Sequence, residues 1–98
     1  MKITVSDQAH KFAQEEMGLE KGDALRFTSK VYGKTAVHEG FSVAVSVEAP
    51  DEVIASTEKD GVLYYMDKHD EWFFNGYDFA VDYKPEEESF VYDFTPEA

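Results

Sequence analysis

The sequence predicts a mainly β fold with one N-terminal helix, an α+β domain built as a small sandwich or barrel-like β structure. Two patterns carry that expectation. Ala9, Phe12, Ala13 and Met17 fall on one stripe at helical spacing, and several short runs further on alternate apolar and polar residues. Turn residues punctuate these runs, and no internal repeat or low-complexity linker interrupts them. The 98 residues suit a single domain spanning 1–98. Eight Phe, six Tyr and Trp72 supply a core without disulfide or metal staples.

The elements follow in order. Lys2 to Val5 reads as a short β segment. Ser6 offers a hydroxyl N-cap, and Asp7 places a carboxylate at the positive end of the helix dipole. Gly18 suits the left-handed C-cap, with Leu19 closing onto a helix of about three turns. Leu25, Phe27 and Val31 alternate with Arg26, Thr28 and Lys30 as a half-buried strand. A loop from Tyr32 to Gly40 leads into the clearest strand, Phe41 to Val47, which Pro50 closes. Val53 to Thr57 and Val62 to Met66 flank an Asp60-Gly61 hairpin turn. Two readings fit the next stretch: a hairpin at Asn75-Gly76, or a short helix capped by Asp67, with Asp70 at the capping-box position. The second is favoured because Trp72, Phe73 and Phe74 do not alternate with polar residues. Phe79, Val81 and Tyr83, then Phe90, Tyr92 and Phe94, complete the strands.

Nine basic residues against 21 acidic give a formal charge of −12. That field repels phosphate backbones and anionic membranes, so nucleic acid and membrane are not expected partners, whereas basic protein surfaces are attracted. The opening residues lack an apolar leader and no run approaches membrane-spanning length, which predicts a cytoplasmic protein. Cysteine is absent, which excludes disulfides, thiolate nucleophiles, zinc–thiolate sites and clusters held by the chain's own sulfur. Ser42 and Ser46 have no identifiable base and no glycine loop cradles phosphate, so no enzymatic activity is expected.

The remaining candidates are metal donors. His10 reads as an exposed helix residue. His69, within Asp67-Lys68-His69-Asp70-Glu71, has carboxylate neighbours suited to a divalent cation, although helix-start chemistry explains the same run. Tyr77-Asp78 and Asp82-Tyr83 offer hard oxygen donors in a pattern typical of core and rim residues. His38 and Glu39, in the loop before the clearest strand, form the candidate metal pair, although adjacent residues on an extended chain point to opposite sides.

The order of Ile3 to Ala9, Leu25-Arg26-Phe27, Gly40 to Val45, Asp60-Gly61-Val62, Phe74 to Tyr83 and Phe90 to Phe94 resembles the HesB-like, A-type iron–sulfur carrier family. Within it, the likeness is to a short acidic subgroup of Gram-positive bacteria. The resemblance implies a compact β fold with a packed helix, a helical turn before Asn75-Gly76, and assembly as a homo-oligomer. Family carriers hold iron or clusters through a cysteine before the Gly-Phe-Ser-like strand and a Cys-x-Cys pair near the C-terminus. Here Thr35 or His38 stands at the first position, and Thr95-Pro96-Glu97-Ala98 offers no pair. Two functional expectations result. One is a non-enzymatic binding module without a cofactor, acting through protein contacts linked to iron–sulfur metabolism. The other is weak binding of iron or another divalent metal through His38, Glu39 and further oxygen donors.

Overall fold

The computed structural model describes residues 1–30 and 42–97. Strand β1 (Ile3–Val5) leads into α1 (Asp7–Glu15), followed by β2 (Ala24–Lys30), β3 (Ser42–Val47), β4 (Val53–Lys59) and β5 (Val62–Asp67). A 3-10 turn (Lys68–Asp70) runs into α2 (Glu71–Phe74), and β6 (Tyr77–Lys84) and β7 (Ser89–Pro96) end the chain. The mainly β class holds. Its single N-terminal helix is only roughly right, because α2 adds a second, short one.

The strands form two sheets, ordered β1-β6-β7 and β3-β2-β5-β4. β1 pairs parallel with β6 and β2 parallel with β5, while the other neighbours are antiparallel. The core includes Phe27 of β2, Tyr64 and Met66 of β5, Phe73 and Phe74 of α2, and Phe79 and Val81 of β6. Phe79 ties the sheets together: its ring meets Phe27 at 5.5 Å, Phe74 at 5.1 Å, Phe94 at 5.2 Å and Tyr92 at 5.5 Å.

Sequence chemistry explains the local turns. The Ser6 hydroxyl accepts from Ala9 N–H at 3.1 Å and donates to Asp82 Oδ1 at 2.8 Å, so the cap also fastens α1 to β6. Replacing Ser6 by Ala is therefore expected to lower stability by about 1 kcal/mol or slightly more, read from urea unfolding. Asp60 and Gly61 have φ of +51° and +80°, as a two-residue type I′ hairpin requires. A side chain at Gly61 would also collide with the Lys21 side chain. β5 does not alternate. Tyr64, Tyr65, Met66 and Asp67 are all buried, and the Tyr65 hydroxyl donates to the Glu48 carbonyl at 3.0 Å.

Candidate functional site

Three polar clusters and one groove stand out among the described residues. The first corrects the reading of His10. Instead of lying exposed, His10 is 6% exposed, and Ala9, His10 and Ala13 form the buried face of α1. Its Nδ1 lies 2.6 Å from the buried Tyr64 hydroxyl and its Nε2 lies 2.9 Å from Asp60 Oδ2. Burial, with the Asp60 charge second, pushes the Tyr64 phenol up to about 12, so it stays a neutral hydrogen-bonding group. The chain Asp60–His10–Tyr64 is closed to substrate at its inner end and clamps α1 to the β4–β5 turn. Lys59 Nζ donates to Asp7 Oδ1 at 2.9 Å and reinforces that junction.

Asp70 anchors the second cluster. It is 5% exposed and accepts from Arg26 Nη2 at 2.8 Å, Thr28 Oγ1 at 2.8 Å, and both Ser29 backbone N–H and hydroxyl. The capping-box role is thus corrected: the carboxylate turns to β2 instead of reaching back to Asp67. Arg26 also donates to Glu48 Oε1 at 2.9 Å, and its hydrogen bond to Asp70, ahead of that to Glu48, holds its guanidinium protonated more firmly than usual.

The third cluster joins Asp67 and His69. Asp67 caps the 3-10 turn by accepting from His69 N–H, as the sequence suggested, and its Oδ1 lies 2.7 Å from His69 Nδ1. The His69 contact lowers the Asp67 carboxyl from 3.8 to about 2, and the Asp67 hydrogen bond raises the His69 imidazole above 6.5. The pair therefore has a defined pH window. Its Asp67 side contributes above pH 3.8 and is lost as pH falls towards 2. Its His69 side is complete below pH 6.5 and is lost as pH rises through the raised imidazole value. Wild type is expected to melt above His69→Gln at pH 5, with the gap closing by about pH 9. Equal gaps at both values contradict the ion pair.

No group of three or more His, Asp or Glu among the described residues is placed to hold a metal ion. His38, Glu39 and Thr35 lie outside the described residues. Asp82 accepts from Ser6 and from Tyr83 N–H, and the Tyr77 ring meets Phe94 at 6.1 Å. Both pairs named as oxygen donors have structural contacts.

The groove lies between α1 and the end of β6, with a volume of about 290 Å³. Phe12, Tyr83 and Pro85 give it an apolar floor, and Gln8, Lys11, Glu15 and Glu16 complete its walls. Elsewhere Trp72 is 51% exposed and packs edge-on against Phe73 at 5.6 Å. No helix of the described residues is long and apolar enough to cross a membrane.

No protein-family model matches the chain. The crystal structure of Escherichia coli SufA, involved in biosynthesis of iron–sulfur clusters, superposes with a TM-score of 0.64, covering 98% of this chain and 86% of that one. At 18% identity that likeness is one of fold, and it bears out the fold the carrier resemblance implied. An uncharacterised protein of Staphylococcus saprophyticus is 31% identical over 85 residues, 84% of this chain and 87% of the relative. A Bacillus subtilis (strain 168) protein named pyruvate dehydrogenase inhibitor is 32% identical over 94 residues, 96% of this chain and 99% of that protein. With that identity along nearly the whole of both chains, this chain belongs to the family of the Bacillus subtilis pyruvate dehydrogenase inhibitor.

Proposed function

We propose that this chain is a non-catalytic regulator that binds a pyruvate dehydrogenase and lowers its activity. The observation that carries the reading is the 32% identity with the Bacillus subtilis inhibitor, which spans 96% of this chain. Residue chemistry is consistent with it. The scaffold shares the SufA fold, yet the chain has no cysteine to hold a cluster through sulfur. Its polar clusters fasten helix to sheet and turn to strand, giving a rigid body that presents a strongly acidic surface. A preformed surface of this kind binds with little ordering loss. The regulator works without a cofactor, through protein contact, and stands outside cluster transfer.

Size-exclusion chromatography of the purified chain with purified pyruvate dehydrogenase tests the association. Co-elution that weakens with rising salt is expected, because an acidic surface meets its partner partly through screened charge. Separate elution at every salt concentration contradicts it. Anaerobic incubation with iron and sulfide separates this reading from a carrier role: no cluster absorption bands are expected, and their appearance would restore cluster handling.

A further inference from the structure

The groove between α1 and the β6–β7 hairpin has a floor and a rim of different chemistry. Phe12 stacks on Tyr83 at 4.7 Å with 28° between the planes, and Phe90 braces Phe12 edge-on at 5.2 Å. These rings are held in place, and Phe12 and Tyr83 remain partly exposed in the groove. The rim carries Glu15 and Glu16 against the single cation Lys11. Beyond Pro85 the hairpin turn continues as Glu86-Glu87-Glu88, with Glu88 in the left-handed region at φ +49°.

We propose that this groove receives an arginine- or lysine-bearing segment of the protein partner, an inference that rests on the reading as a regulator. Aromatic faces are electron-rich and attract cations, so a guanidinium or ammonium group lying on an uncovered face of the stacked Phe12–Tyr83 pair gains from the ring it covers. Its charge then faces Glu15 and Glu16. Helix placement supports the same occupant. Glu15 ends α1 and Glu16 is its C-cap, where the dipole is negative, and the last turn has no basic residue. Carboxylates there repel the dipole, and a docked cation relieves that repulsion. An anionic ligand is opposed by the same rim and by the chain's charge of −12. A purely apolar segment leaves the carboxylates unused.

Two arms test the groove and keep its failure apart from failure of the regulator reading. In the first, the ¹⁵N-labelled chain is titrated with a short synthetic peptide containing two arginines and a phenylalanine, and with its counterpart containing glutamates. Amide shifts confined to α1, Tyr83 and residues 86–88 of the turn are expected for the arginine peptide only, with loss in Glu15→Lys/Glu16→Lys. Shifts centred elsewhere, or none, overturn the proposal. The double variant is expected to fold, since it places cations at the negative end of α1.

In the second arm, pyruvate dehydrogenase is assayed with each form of the chain. The double variant is expected to inhibit about tenfold less potently, through lost electrostatic complementarity. Equal potency overturns the groove as the docking site while leaving the regulator reading intact. If neither form inhibits but the arginine peptide still maps to the groove, the regulator reading falls and the cation site stands.

Discussion

Phe79→Ala is expected to lower the stability of the domain by about 3–5 kcal/mol. Phe79 is 1% exposed on β6, the central strand of its sheet, in register with Ile3 on one side and Phe94 on the other. Its ring faces Phe27 of the opposite sheet and Phe74 of α2, so one side chain joins three elements. Flat, braced aromatic neighbours close poorly around a missing ring, and the cavity penalty adds to lost transfer energy. Urea unfolding is expected to show a lower midpoint with an unchanged slope. Phe79→Leu, which refills part of the space, is expected to lose roughly half as much. A loss below about 1 kcal/mol for the alanine variant contradicts this account of the core.

Removing the carboxylate of Asp70 is the second large expected effect. Asp70→Ala removes one of the two carboxylates that hold Arg26 and leaves the Thr28 and Ser29 donors without their acceptor, a loss of about 3 kcal/mol. The upper end of the range for buried pairs does not apply, because the Arg26 side chain is 19% exposed and keeps Glu48. Relief of general acidic repulsion opposes the loss, but a single surface-like charge change is worth only about 0.5 kcal/mol. Asp70→Asn is expected to fall between wild type and alanine. The double variant Arg26→Met/Asp70→Leu is expected to recover much of the stability, since well-packed apolar groups often replace a buried ion pair without loss. Strictly additive losses in that cycle contradict direct coupling between the two residues.

Local chemistry made much of this fold legible. The Ser6 cap, the Asp60-Gly61 turn and the strand of Val43, Val45 and Val47 each depend on residues within a few positions of one another. Pairing between distant segments is a different matter. Nothing in β1 marks it as a parallel neighbour of β6, some 76 residues away in the Ile3–Phe79 register. His10 illustrates the same limit. Its partners Asp60 and Tyr64 lie 50 and 54 residues away, so an imidazole that looks solvated on a helical wheel is buried in the fold. A signal was available, because His10 precedes Ala13 by three positions and Met17 by seven, on the edge of the apolar stripe. Asp70 departs from its sequence reading for a related reason. Its capping-box spacing is local, but Arg26, Thr28 and Ser29 converge on it across the sheet and outcompete the turn.

The groove was not legible as a site. In sequence Phe12 is one member of the helical stripe and Tyr83 one strand residue, and their meeting depends on α1 packing over β6. His38 and Glu39 remain sequence-derived candidates, since they fall outside the described residues. The fold resemblance and the relative's activity also point in different directions. A scaffold shared with SufA predicts shape, whereas cluster transfer needs sulfur ligands that this chain lacks.

The most direct test of the central claim is the steady-state rate of purified pyruvate dehydrogenase as the full chain is added over a wide concentration range. The regulator account predicts a saturable fall in pyruvate turnover that reaches its end point at a fixed ratio of chain to enzyme and is relieved by salt. An unchanged rate at large excess of folded chain would contradict it.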